Sequence, residues 1–400
     1  MNAFETELTE RIEAIRAEGL HRELRRVNSP QLPHIRVDDK TLLNFSSNDY
    51  LGLANDPLVK EAAIKGIERY GAGSGASRLV CGSLAPHHEL EQAIAAFKGT
   101  EAALVFSSGY AAALGTLGAL LDAHDVVMID KRVHACIVDA AHLCGAVIRV
   151  FPHNDLNRLA RMLQWADRRN AALGGKRRPR TLIVTESVFS MDGDFSPLRE
   201  LVGLKERHGA WLMVDEAHAT GLYGDKRRGL TEEFAVADGV DVQMGTLGKS
   251  LGSSGGYICG SRVLIDLLVN RARSFVFSTA PGPAAAAAAT AAIHVVQSDA
   301  GQARRQQLWA RVDLVKNGLV NAGFALPPVR SAIIPLVMGD ESRALEAAAA
   351  LREAGIFIPA IRYPTVARGQ ARLRLTVSAA HAAADVTQLV AALADLKSRT

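Results

Sequence analysis

An α/β fold, with a mostly parallel central sheet covered by helices, is what this sequence predicts, and three patterns predict it. Seven short apolar runs between residues 103 and 259 alternate with helical segments, the arrangement that builds a parallel sheet by crossover connections. Three of those runs empty into tight polar turns: Leu104-Val105-Phe106 into Ser107-Ser108-Gly109, Trp211 to Val214 into Asp215, and the run ending at Met244 into a glycine-flanked lysine. After an alanine run at 284–289 the order becomes mixed, which predicts a small C-terminal α+β domain.

The elements follow in order. Phe4, Leu8, Ile12, Ile15 and Leu20 recur at helical spacing, so the first 27 residues or so read as an amphipathic helix that lies on another surface. An extended segment through Ile35 and Leu42-Leu43 comes next. Strands are expected at Ala103 to Phe106, Val126 to Ile129, Val147 to Phe151, Thr181 to Thr185, Trp211 to Val214, Val242 to Gly245 and Gly256 to Cys259. Pro281, Pro283 and the alanines that follow start a helix linking the large domain to a smaller one. In the last portion Ile333 to Val337, Ile356 to Ile358 and Arg372 to Val377 read as strands, with helices near 343–354 and 383–396. The expected division is an N-terminal helix and extended arm over 1–54, a large α/β domain over 55–285 and the C-terminal domain over 286–400. No internal repeat is found.

Composition narrows the function classes. With 48% hydrophobic and 22% charged residues and a net charge of +4, the chain is of ordinary soluble composition. Basic residues cluster at His21 to Arg26 and at Lys176-Arg177-Arg178, the latter read as a solvated loop. No basic patch is interleaved with aromatics, so nucleic acid is not expected as a partner. Cys81, Cys136, Cys144 and Cys259 show no C-x-x-C spacing, which points to buried or half-buried thiols in a reducing, cytoplasmic setting and to no metal. The acidic start lacks an apolar h-region, and the stretch 102–123 is broken by Ser107, Ser108, Gly109, Gly115, Gly118 and Asp122, so neither a signal peptide nor a membrane span is expected.

The chemistry gathers around Lys249, held in Thr246-Leu247-Gly248-Lys249-Ser250-Leu251-Gly252. A lysine presented by a tight turn after a strand is what a Schiff-base catalyst requires, although any single lysine is more often a solvated surface charge. Upstream, Asp215 ends an apolar run in Asp215-Glu216-Ala217-His218. A buried carboxylate needs a cationic partner, and a protonated pyridine nitrogen is one; the bare alternative is a helix-capping aspartate beside a core histidine. Ser108-Gly109-Tyr110 places backbone N–H groups at a helix start where an anion can sit, or simply caps the helix.

With those residues the chain resembles the α-oxoamine synthases, pyridoxal-phosphate (PLP) enzymes of fold type I. The resemblance runs nearly end to end, through Asn44 to Leu53, the glycine-rich segment Gly71 to Gly82, Val184 to Gly193, Asp215 to Gly221, Thr246 to Gly252, Ile361 to Val366 and Arg372-Leu373-Arg374. It implies that Lys249 forms the Schiff base and acts as general base, that Asp215 meets the ring nitrogen, that His218 bonds the phenolic oxygen and that His134 stacks on the ring. Ser108, Gly109 and Tyr110 would cradle the phosphate, with Ser190 and Thr246 also on the cofactor. Arg374, with Asn48, would take an amino-acid carboxylate, although alternation leaves Arg372 on the same strand face as Arg374. Arg22 and Thr365 would meet the acyl donor. The implied reaction is a decarboxylative condensation of L-alanine with a pimeloyl thioester of coenzyme A or acyl carrier protein (ACP), as in the biotin-forming branch, in a homodimer with active sites at the subunit interface. Arg78 and Cys81 instead resemble the relative that joins glycine to acetyl-CoA. Ala367 and Ala280-Pro281-Gly282 also depart from the biotin-branch pattern, whereas Asp49 and Ala217 to Thr220 fit it. A catalytically silent partner subunit and an aminotransferase on the same fold are the readings from other classes.

Overall fold

The computed structural model describes residues 2–173 and 179–398. Lys176, Arg177 and Arg178, expected as a solvated loop, lie outside the described residues. In chain order the elements are α1 (Ala3–Ala17), β1 (His34–Val37), β2 (Lys40–Asn44), α2 (Pro57–Tyr70), α3 (Ala85–Lys98), β3 (Ala102–Phe106), α4 (Gly109–Leu120), β4 (Val126–Asp130), α5 (Ala135–Leu143) and β5 (Val147–Phe151). Next come α6 (Leu156–Ala172), β6 (Thr181–Glu186), α7 (Leu198–His208), β7 (Trp211–Asp215), α8 (Leu230–Glu233), β8 (Val242–Thr246), β9 (Gly256–Gly260), α9 (Arg262–Arg271), α10 (Arg273–Val276) and α11 (Pro283–Gln297). The chain ends with α12 (Asp299–Asn321), β10 (Ile333–Gly339), α13 (Glu341–Glu353), β11 (Ile356–Phe357), β12 (Ala360–Ile361), β13 (Ala371–Thr376) and α14 (Ala383–Ser398). Two units result: one of Leu51–Ser190 and Asp194–Arg305, the other of Met1–Tyr50, Met191–Gly193 and Gln306–Thr400.

The first unit holds a seven-stranded sheet in the order β3-β9-β8-β7-β6-β4-β5. Strands β5, β4, β6, β7 and β8 pair in parallel, while β9 is antiparallel to both β8 and β3. The reversal has a simple cause: the connection from 247 to 255 is too short for a crossover helix, so β9 turns back on β8. Strands β3, β4 and β6 are buried at every residue. Covered on both faces, they read as continuous apolar runs rather than as alternating ones. Phe106 and Leu117, with Ile129, Ile137, Val184 and Met213, belong to the core that packs against them. Helix α11 begins at Pro283, where a missing N–H costs nothing. Its alanines pack against α2 and α3.

The sheet brings five sequence-distant turns to one edge. Because β3 and β8 both run opposite to β9, they share a direction with β7, β6 and β4. All five therefore deliver their C-terminal ends to the same side, the side on which open α/β sheets bind ligands.

The second unit carries two three-stranded sheets, β1-β2-β11 and β10-β13-β12. Helix α1 is shorter than the 27 residues expected, since it ends at Ala17 and Gly19 takes φ +69, a conformation that does not continue a helix. Its apolar stripe is open: no residue of α1 is buried, and Phe4 is 69% exposed. The alternation of β13 breaks down, with all six residues buried, so both arginines of Arg372-Leu373-Arg374 are inside.

Candidate active site

Lys249 follows β8 in a turn closed by backbone bonds from Leu247 N to Gly255 O (3.0 Å), Ser253 N to Leu247 O (2.9 Å) and Gly252 N to Lys249 O (2.9 Å). Thr246 braces it, its hydroxyl donating to Gly255 O (3.1 Å) and accepting from Gly248 N (3.3 Å). The lysine Nζ stands 2.9 Å from His218 Nε2. Residues 31 apart in sequence thus meet because β7 and β8 are neighbours.

Asp215 closes β7 and is 5% exposed. Its Oδ1 accepts from Ala217 N at 2.9 Å, a turn that fixes the carboxylate at the strand end. Burial pushes its carboxyl above the ordinary range, and the charge of Lys249 pulls the other way. A buried acid so placed calls for a further cation.

His134 caps α5, its Nδ1 accepting from Cys136 N at 3.2 Å. That bond puts the ring proton on Nε2. Burial, then the charge of Lys249, lowers its pKa, so the imidazole is neutral at pH 7. A neutral ring held by one nitrogen keeps a flat face for stacking.

Ser108 caps α4, with its Oγ accepting from Ala111 N at 3.0 Å. The start of β9 comes so close that a Cβ on Gly256 would lie 2.5 Å from Gly109 N. Glycine at 256 is therefore a packing requirement for the turn at the helix start. Tyr110 is largely exposed, and its hydroxyl donates to Asp139 Oδ2 at 2.6 Å.

Glu186, quoted in the sequence motif but given no role there, also lies at this edge. It pairs in register with Asp215 across β6 and β7, is 2% exposed, and its Oε2 accepts from Ser190 N at 3.2 Å. An apolar run ending in an acid was its signal, the same one that singled out Asp215. The loop that carries Ser190 is further tied down by His153, which bridges Asp130 (3.0 Å) and Asp194 (2.7 Å). Burial opposes the charge of His153, but the two carboxylates outweigh it and hold the imidazole at about 9.

Behind the edge lies a buried ion pair. Lys98 Nζ reaches Glu216 Oε2 at 2.5 Å with both side chains fully inside. Glu216 also accepts from Thr231 N (3.0 Å) and Oγ1 (2.9 Å), and Lys98 donates to Arg228 O. The network anchors the residue next to Asp215. Lys98→Met should cost about 3–5 kcal/mol, because it strands a buried carboxylate; the loss is measurable by denaturant unfolding, and adding Glu216→Gln should recover part of it.

In the other unit, the structure joins the remaining residues in two pairs. Arg374 donates to Asn48 Oδ1 at 3.1 Å, while Arg372 is taken up by Asp192 (2.8 Å) and Met191 O (3.1 Å). Arg374 also donates to Thr376 Oγ1 at 3.0 Å, so both arginines are held by neighbours of their own. Arg22 lies 3.4 Å from Thr365 Oγ1 and from Tyr363 O. Within the first unit, Arg78 forms a two-bond pair with Glu91 (2.9 Å each) and bonds Ser83 (2.8 Å). Its guanidinium braces a loop.

Comparison with known proteins agrees with the geometry. The sequence profile of the class I and II aminotransferases matches residues 40–393. The 8-amino-7-oxononanoate synthase of Anaeromyxobacter dehalogenans is 51% identical over 96% of this chain and 93% of its own. That of Geobacter sulfurreducens is 46% identical over 96% of both. Among solved structures, a serine palmitoyltransferase from S. paucimobilis with a bound PLP–myriocin adduct superposes with a TM-score of 0.90 at 28% identity, covering 99% of this chain and 98% of that one. An 8-amino-7-oxononanoate synthase from Francisella tularensis gives 0.74 at 25% identity, covering 90% and 98%.

Proposed function

The chain belongs to the class I and II aminotransferase family, among the 8-amino-7-oxononanoate synthases, and on that premise we propose how its own residues carry out the condensation. The enzyme is a PLP-dependent acyltransferase of biotin biosynthesis. It joins L-alanine to a pimeloyl thioester: the alanine α-carbon bonds to the acyl carbon, the C–S bond breaks to release the thiol, the alanine carboxylate leaves as carbon dioxide, and a proton returns to the α-carbon. The observation that carries the residue assignment is the meeting of Lys249, His218 and buried Asp215 at one sheet edge.

The donor set fits the cofactor. Asp215, lifted by burial, suits the ring nitrogen as a cation. His218, at 2.9 Å from the Lys249 amine, suits the phenolic oxygen. His134 offers a neutral face, Ser190 and Thr246 line the same edge, and the Ser108-Gly109-Tyr110 turn suits the phosphate. When bound, PLP supplies an electron-poor ring that draws charge from the amino acid's α-carbon.

Lys249 takes the α-proton as general base and later returns it. Its tight turn limits the reach of the amine. Asp215 holds its negative charge against the ring nitrogen. Arg374, aligned by Asn48, binds the alanine carboxylate through a planar guanidinium, and Arg22 and Thr365 take the acyl donor, on ACP or coenzyme A. The exposed apolar side chains of Leu79, Val80, Leu143 and Phe277 support a homodimer with active sites at the subunit interface. Four free cysteines support a cytoplasmic location. Among the described residues no helix is long and apolar enough to cross a membrane.

A panel of amino acids against acyl thioesters, scored by carbon dioxide release, tests the substrate assignment. Release is expected with alanine and a pimeloyl thioester. Release of free coenzyme A from glycine with acetyl-CoA, and no carbon dioxide from alanine with a pimeloyl thioester, would overturn it.

A further inference from the structure

We propose that Glu186 is a positioning residue of the cofactor site that works as a neutral acid: its protonated carboxyl keeps the negative charge on Asp215 alone and ties down the Ser190 backbone. The inference rests on the cofactor reading above and adds a residue to it.

Geometry places the carboxyl at a junction. Glu186 and Asp215 are direct neighbours in parallel register, so their side chains leave the sheet on the same face, both buried. Glu186 Oε2 accepts from Ser190 N at 3.2 Å, and the backbone N–H of His134 also favours its ionised form. One side chain thereby joins the loop after β6 to the end of β7. Its Oε1 is buried with no hydrogen-bond partner among the described residues. A buried ionised oxygen left so would be costly, whereas a carboxylic acid is far less so.

Two adjacent carboxylates in low dielectric do not both ionise readily. Burial first and the charge of Asp215 second push Glu186 up to about 8, against the pull of Lys249 and of the two amides. The other titratable group acted on by this carboxyl is Cys136, whose thiol burial and the nearby carboxylates push up, so that it stays protonated. Asp215 is the natural site for the charge, since its charge raises Glu186 whereas Glu186 is not among the influences on Asp215.

The folded value lies above the usual 4.5. Between those limits the fold therefore holds a proton that the unfolded chain has lost, and stability falls as pH rises from about 4.5 to about 8. Glu186→Gln is permanently neutral and nearly isosteric. The apoprotein variant should melt close to wild type near pH 5, gain on it steadily up to about pH 8 and hold a constant lead beyond. PLP titrated into the two apoproteins at pH 7 should bind within about three-fold, while Glu186→Ala, which frees the Ser190 amide, should bind about 10- to 100-fold more weakly. A Gln variant that melts below wild type by the same margin at every pH would overturn the proposal, as would tight PLP binding by the Ala variant. Failure of the wild-type apoprotein to bind PLP would instead overturn the cofactor reading beneath it.

Discussion

Lys249→Ala should lower turnover by about 10⁴-fold or more while leaving the fold intact, because the side chain is the one proposed as both covalent anchor of the cofactor and general base. Its Nζ lies against His218, and the turn around it is closed by backbone bonds at Leu247, Ser253 and Gly252 that alanine preserves. Steady-state kinetics of carbon dioxide release, alongside a thermal melt of the apoprotein, checks both halves. Near-normal turnover in this variant would remove the basis of the whole assignment.

Asp215→Asn should cost about 10²- to 10³-fold in kcat. A carboxylate against a ring nitrogen shifts that nitrogen's pKa by roughly 2–3 units, and each unit is worth about 1.4 kcal/mol, or tenfold. The variant isolates charge from shape, since the amide oxygen still accepts the Ala217 N–H. Stability should move the other way. The folded Asp215 value is raised, so its contribution is unfavourable once pH exceeds the unfolded value, and the apoprotein with Asn should melt at or above wild type at pH 7. Loss of kcat together with an equal loss of stability would assign Asp215 to the scaffold instead.

Much of the fold is legible in the sequence because the sheet strands are buried on both faces and so appear as unbroken apolar runs. The residues that end or follow them, Asp215, Thr246 and Lys249 and the Ser108-Gly109 turn, are legible for the same reason: polar groups at a strand's exit stand out against what precedes them. What the sequence leaves hidden is adjacency. Glu186 carries the same signature as Asp215, but only the strand order reveals that the two acids are neighbours. Lys98 reads as one more surface cation on a helix until the fold sets it against Glu216, 118 residues away. Arg372 and Arg374 are indistinguishable by alternation, and only the fold shows that Asp192 and Met191 engage the first while Asn48 and Thr376 engage the second. The end of α1 could have been read at Gly19, where the backbone turns left-handed.

Lys249 is the residue on which the proposed chemistry most depends, and one measurement reaches it. Borohydride reduction of the PLP-loaded protein, followed by peptide mass mapping, should place a single pyridoxyl adduct on Lys249, and prior addition of excess L-alanine should deplete it. An adduct on any other lysine, in a preparation that condenses alanine with a pimeloyl thioester, would contradict the account.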